Sequence, residues 1–333
     1  MTGIGLATAL AAILSLALTG LATWYARRRG LIDHPGDRQS HVLPTPRGGG
    51  AGLILAFLVS SLLFAQGAMS GGWMSCLLPA VLMLAITGWW DDHRPLSARI
   101  RLLVQLAATA WLLVCLQESG LQMSAWLWPV AVLFVVWMSN LYNFMDGSNG
   151  MAGAQGVFSA AVLAWLFARA GDEATSIFSV MLAASCLGFL PWNLRKARVF
   201  MGDVGSVSLG FSFAALLVYG AVSGAFNVPV ALMVLLPFLV DSTLTLIARV
   251  LKRERWYNAH RQHLYQQIII QGWTHGRVLL LYQAINLVLV LPGIAVAVNY
   301  PAAAWPIALA LSLALGLGWY LSIKRIGVLA LAG

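Results

Sequence analysis

Long apolar runs separated by short polar connections dominate this chain from end to end. A helix that crosses a membrane needs about 20 mainly apolar residues. Eleven stretches answer to that, at approximately 4–25, 48–66, 73–90, 101–117, 124–142, 152–169, 174–192, 206–223, 228–250, 278–298 and 302–322. Pro79, Pro129, Pro191 and Pro237 fall within these runs or at their ends, and membrane helices tolerate proline because neighbours satisfy the backbone groups it frees. The pattern predicts an all-α, polytopic integral membrane protein of about eleven transmembrane helices. The longest polar stretch, about Lys252 to Arg277, is too short to bury a core of its own. Residues 1–333 therefore read as a single integral membrane domain.

The connections alternate in charge. Those at 67–72, 117–123, 170–174, 224–227 and 299–301 are poor in basic residues. Of the 20 Lys and Arg residues, every one except Arg169 falls in the other set of connections or in the tail. Such a bias marks the cytoplasmic side, so the amino terminus is expected in the periplasm and the carboxyl terminus in the cytoplasm. Arg27, Arg28 and Arg29 follow the first apolar run, whereas a signal peptide carries its charges ahead of the run. The first run is thus expected to be a retained helix.

Composition sharpens this reading. Hydrophobic residues make up 60% of the chain and charged residues 9%, against about a quarter charged in a soluble domain; a water-facing surface is excluded. The net charge of +9 fits the positive-inside bias and attraction to anionic headgroups, not a nucleic-acid footprint. Cys76, Cys115 and Cys186 all lie inside apolar runs, with no CxxC, and read as small core hydrophobes without a disulfide.

The residues able to do chemistry gather on the basic side. Asp91 and Asp92 end the third run, where adjacent carboxylates oppose the helix dipole and repel each other unless a cation or proton relieves them. A solvated helix end balanced by Arg94, and a metal ligand beside a base, are readings of equal weight. Asn140, Asn143 and Asp146 recur every three residues at the end of the fifth run, and residues three apart are neighbours on a helix. Two amides and an acid in register can line one cleft suited to a nucleotide or sugar. Gly202-Asp203-Val204-Gly205-Ser206 opens the eighth run, where free N–H groups face phosphate oxygens and one Asp can hold Mg²⁺ or cap the helix.

His260-Arg261-Gln262-His263 lies in the largest basic connection, with Trp256, Tyr257 and Tyr265 nearby. Arginine suits bidentate phosphate binding, and the spacing lacks a second zinc-ligand cluster. Thr45-Pro46-Arg47-Gly48-Gly49-Gly50 opens the second run; it reads equally as a phosphate cradle or, through Gly48 and Gly52, as a helix-packing device. Asp241 is the one acid well inside an apolar run, placed to face the cleft or to pair with a basic residue such as Arg249. A supporting role ranks above direct catalysis for it.

In this order and on one side of a membrane, the motifs between about Arg38 and His263 resemble the polyprenyl-phosphate N-acetylhexosamine-1-phosphate transferases, glycosyltransferase family 4, and in particular its O-antigen-initiating branch. The resemblance implies a bacterial inner-membrane enzyme whose active site faces the cytoplasm. It would move a sugar-1-phosphate from a UDP-N-acetylhexosamine to undecaprenyl phosphate and release UMP. Asp91 and Asp92 match the family's aspartate pair, and Asn140, Asn143 and Asp146 its Asn-x-x-Asn-Phe-Met-Asp-Gly signature. Asp203 matches its metal-binding aspartate, and His260, Arg261 and His263 the loop that engages the donor's pyrophosphate and sugar.

The catalytic set so implied is Asp91, Asp92, Asp146, His260 and His263. Asn140, Asn143, Arg47 and Arg261 bind substrate, and Asp203, Asp92 and Asp146 hold Mg²⁺, with Mn²⁺ as its substitute. Membrane lipid is a further partner, and a homodimer is admissible. Two departures stand out: Asn149 occupies a position where many relatives carry a second aspartate, and the loop around His260 lacks the triple histidine of the peptidoglycan enzyme. The rival reading is a transporter of a lipid or anionic solute, which places its polar residues near the midplane.

Overall fold

The computed structural model describes residues 2–34, 43–64, 72–254 and 260–327. It is helical apart from a two-stranded antiparallel pair, β1 (Ile32–Asp33) and β2 (Thr45–Pro46), which joins Ile32 to Pro46 and Asp33 to Thr45. The first half of the chain forms α1 (Thr2–Arg29), α2 (Gly50–Phe64), α3 (Met74–His93), α4 (Ala98–Glu118) and α5 (Leu127–Phe144). Next come α6 (Met151–Arg169), α7 (Glu173–Asn193) and α8 (Asp203–Val222), then the short α9 (Val228–Met233) and α10 (Leu236–Leu251). After α11 (Leu264–Ile270), α12 (His275–Ile285) runs through a π-helical stretch, Asn286–Val290, into α13 (Leu291–Asn299), and α14 (Ala304–Ile326) closes the described chain.

Among the described residues, nine helices are long and apolar enough to span a membrane, and α2 is a shorter apolar helix. Two expected spans differ from the sequence reading. The run at 48–66 yields α2, and residues 65–71 lie outside the described set. The run at 228–250 is broken into α9 and α10. Pro237 causes the break: it has no N–H to donate and disfavours helical geometry before it. In the break, the Val234 carbonyl accepts a hydrogen bond from Ser159 Oγ at 3.2 Å.

The core is organised around α8, whose residues are almost all buried. It packs against α2, α3 and α5, and small residues bring these backbones close. A Cβ on Gly50 would sit 2.5 Å from Gly205 Cα, and one on Gly210 2.7 Å from the Met138 carbonyl oxygen. The glycine run before α2 therefore serves packing. Its N–H groups at Gly49 and Gly50 donate to the carbonyls of Phe200 and Met201, which fixes α2 to the segment entering α8. On α2's other flank, a Cβ on Gly52 would meet Thr19 N at 2.2 Å and the Leu18 carbonyl carbon at 2.5 Å. These are backbone atoms and cannot rotate away. Gly52→Ala is expected to force α1 from α2 and cost roughly 1–3 kcal/mol, read as a lowered unfolding midpoint of the purified protein; an unchanged midpoint would mean that the helices do not approach this closely.

The cysteine expectation is corrected. Cys76 and Cys115 are joined in a disulfide, with Cα atoms 6.2 Å apart, and only Cys186 among the three is free and buried. The two apolar runs are antiparallel neighbours, so residues 39 positions apart in sequence meet at the same end of α3 and α4. Position within an apolar run concealed this.

Candidate active site at the ends of α3, α5 and α8

α3 delivers Asp91 and Asp92 in its last turn, and the two carboxylates diverge. Asp92 is 3% exposed and turns to the start of α8, where its oxygens accept the N–H groups of Asp203 at 3.2 Å and Val204 at 3.3 Å. This gives α8 an N-cap supplied from another helix. Gly202 makes room for it: its φ of +75° lies in the left-handed region, and a Cβ there would sit 2.5 Å from Asp92 Oδ2. Arg47 donates to the Asp92 carbonyl, tying in the chain that precedes α2.

Asp91 turns the other way. Its Oδ1 accepts the Leu96 N–H at 2.6 Å, and its Oδ2 lies 3.4 Å from Arg101 Nη1. The same Arg101 nitrogen contacts Asp203 Oδ2 at 3.0 Å. One guanidinium thus joins the acids of α3 and α8 across the start of α4.

α5 ends beside this group. Asn143 Oδ1 accepts from Ser206 Oγ at 3.2 Å, fastening α5 to the first turn of α8. Asn140 Nδ2 donates to Gln105 Oε1 at 2.7 Å and to the Val136 carbonyl at 2.8 Å. Asp146 lies just beyond the helix. Burial holds its carboxyl well above the usual carboxylate range, and the charges of Asp203 and Asp92 raise it further. Asn149 donates to the Arg195 carbonyl at 2.6 Å, a hold on the loop after α7.

The His260–His263 segment docks on the same end of α5. The His263 ring lies 5.9 Å from Phe144 and 4.8 Å from His260, and Tyr265 donates its hydroxyl to the Phe144 carbonyl at 2.9 Å. The Arg261 carbonyl accepts from Gln267. Trp256 and Tyr257 lie outside the described residues.

Asp241 secures this segment from beneath. Its carboxylate accepts the N–H groups of Leu264 at 2.8 Å and Tyr265 at 3.3 Å, the Tyr282 hydroxyl at 2.7 Å, Trp319 Nε1 at 3.1 Å and Thr245 Oγ1 at 3.3 Å. Its His263 neighbour stands 4.0 Å away, while Arg249 pairs with Glu254 at 3.0 Å. Its role is to fasten α10, α11, α12 and α14 together.

Burial holds both imidazoles below their ordinary titration range; for His260 the value falls from 6.5 to about 3, with His263 and Arg249 adding to the effect. Both rings are therefore neutral at pH 7. Between pH 6.5 and 3 the unfolded chain binds the proton that folded His260 refuses, so stability rises with pH in that window. The contribution is complete above 6.5 and lost as pH falls toward 3. The unfolding midpoint is expected to drop on acidification through this window, and His260→Gln to flatten the slope; an identical slope in the variant would show that the ring is not held neutral.

Sequence reasoning missed Arg101 and Gln105 as site residues, and Tyr282 and Trp319 as partners of Asp241. Arg101 carried only an orientation signal, and no spacing rule relates it to Asp203, 102 positions away. Asn193 was also missed: it accepts the Gly150 N–H at 2.7 Å and donates to the Val199 carbonyl at 2.9 Å, bracing the loop beneath the site.

Carboxylates, amides and arginine, drawn from separate segments to one end of a multi-pass helical bundle, define a membrane-embedded transferase when set beside known proteins. Residues 73–221 match the Glycosyl transferase family 4 model. A decaprenyl-phosphate N-acetylglucosaminephosphotransferase of Mycobacterium leprae is 31% identical, over 81% of this chain and 78% of its own. A probable undecaprenyl-phosphate N-acetylglucosaminyl 1-phosphate transferase of Bacillus subtilis is 26% identical, over 78% and 75%. A phospho-N-acetylmuramoyl-pentapeptide-transferase of Thermosynechococcus vestitus is 34% identical, over 62% and 61%. The chain belongs to the polyprenyl-phosphate N-acetylhexosamine-1-phosphate transferase family.

Proposed function

We propose that the protein transfers an N-acetylhexosamine-1-phosphate from a UDP-sugar to undecaprenyl phosphate. The product would be the first lipid-linked intermediate of O-antigen or a related cell-surface polysaccharide. The observation that carries this reading is the bridge Asp91–Arg101–Asp203, with Asp92 capping α8 beside it. It is a charged constellation at helix ends, where a polar cytosolic donor and a headgroup-level phosphate can both arrive. A transporter would have its polar groups at mid-depth.

Asp203 and Asp146 fit Mg²⁺ best. Both are acids whose charges act on each other, while Asp92 already uses both oxygens on backbone N–H groups. Among the described residues no three His, Cys, Asp or Glu side chains form a metal cluster, and Mg²⁺ takes one or two carboxylates with phosphate oxygens and water. When bound, the cation neutralises the donor's pyrophosphate and leaving group.

The protein's own groups do the rest by positioning and charge. An oxygen of the lipid phosphate attacks the β-phosphorus; the bond to the bridging oxygen breaks, and UMP leaves. Arg101 and Arg261 carry positive charge to the phosphates. Asn140 and Asn143 hold the nucleotide or sugar, and the neutral His260 and His263 line the donor side. Asp91 takes the proton of a protonated lipid phosphate. The bias of basic residues toward one set of connections supports a site facing the cytoplasm at a bacterial inner membrane. Purified protein offered UDP-GlcNAc, UDP-GalNAc, 6-deoxy-N-acetylhexosamine donors and UDP-MurNAc-pentapeptide with undecaprenyl phosphate and Mg²⁺ should release UMP with one of the simple N-acetylhexosamines. UMP release from none of them would refute the reading, and use of the pentapeptide donor alone would move the enzyme to peptidoglycan synthesis.

A further inference from the structure

A groove of about 440 Å³ runs between α1, α2 and α3, floored by Val204 of α8. Its lining is apolar, and Leu21, Trp24, Leu55, Leu82 and Ile86 leave it open to the bilayer. Its mouth is basic. Arg28 lies 4.3 Å from the centre of the Trp24 ring and Arg29 5.8 Å from that of Tyr25, and both rings line the groove. The Tyr25 hydroxyl lies 3.2 Å from His93 Nε2 at the end of α3. An apolar trough ending in exposed guanidiniums set on aromatic rings matches a lipid with hydrocarbon below and negative charge above.

This groove is not on the reacting side of α3. Leu82, Ile86, Trp89 and His93 form one stripe at helical spacing, and that stripe faces the groove. Asp91 stands two residues from both Trp89 and His93, which at 3.6 residues per turn puts it on the opposite face, toward Arg101 of α4. A phosphate held by Arg28 and Arg29 is thus separated from Asp91 and Arg101 by the body of α3.

We infer that the groove holds one acyl chain of a resident anionic phospholipid, whose phosphate sits against Arg28 and Arg29 and which is distinct from the reacting lipid. The test uses the full chain in bilayer discs of equal phosphatidylglycerol and phosphatidylcholine, extracted into detergent and weighed by native mass spectrometry. Wild type should keep one phosphatidylglycerol. R28A/R29A and the groove-filling variant Leu55→Trp should each retain at least several-fold less, while Lys324→Ala/Arg325→Ala retains as much as wild type. Equal retention of phosphatidylcholine, or full retention by both R28A/R29A and Leu55→Trp, would overturn the inference. So would displacement of the retained lipid by stoichiometric undecaprenyl phosphate, which would make the occupant the acceptor. Monodisperse elution and wild-type helix content certify that each variant is folded.

Discussion

Asp203→Asn should lower the turnover of the purified enzyme on the order of 10³-fold while leaving it inserted and folded. The carboxylate holds Arg101 at 3.0 Å, and under the proposed function it also binds the cation with Asp146. The amide keeps the shape and removes the charge. Losing one preorganised electrostatic contact in an active site commonly costs about 10²- to 10³-fold, and here Arg101 is released as well. The α8 start should survive, because its cap comes from Asp92 and not from Asp203. UMP release measured across a Mg²⁺ titration, with helix content recorded alongside, is the check. Turnover like wild type at all Mg²⁺ concentrations would take Asp203 out of the chemistry.

Asp241→Ala should be the most destabilising single change at the site. Five donors converge on that carboxylate, four of them from outside its own helix. A buried donor left without its acceptor costs about 1–3 kcal/mol, and since such losses are not additive, a total of about 3–5 kcal/mol is expected. Because two of the donors are the Leu264 and Tyr265 N–H groups directly after His263, the variant should also bind the UDP-sugar more weakly. Asp241→Asn should fall between, since its amide oxygen accepts while its NH₂ opposes a donor. A melting curve with donor KM measured on each variant decides it. An Ala variant as stable as wild type would mean that the acid does not hold these helices.

The sequence made the architecture readable because each apolar run has to satisfy a length rule. Where the rule failed, the cause was local: Pro237 divides one run in two. The site was partly readable for a different reason. Asp91, Asp92, Asn140, Asn143, Asp146, Asp203 and the His260–His263 segment stand out as polar residues at the ends of apolar runs. Their division of labour was not readable. Asp91 and Asp92 are adjacent in sequence, yet a helix sends them about 100° apart, one to Arg101 and the other to the N–H groups of α8. The glycines before α2 read equally as a phosphate cradle or a packing device, and the backbone 2.5 Å from a hypothetical Cβ that favours packing is visible only after folding. Arg101 and Asn193 had no sequence signature, because their partners lie in other segments or in a loop that only folding closes.

The Cys76–Cys115 link joins α3 and α4 at the ends remote from Asp91 and Arg101. The two helices therefore form a hairpin closed covalently at one extremity and by an ion pair at the other. Any opening that lets the anionic donor part Arg101 from the acids must pivot about the sulfur bridge, like tongs about a rivet. The acidic end can spread without the pair sliding out of register, so the alignment of Asp91 with Arg101 depends on the oxidation state of two cysteines at the opposite end of the same helices.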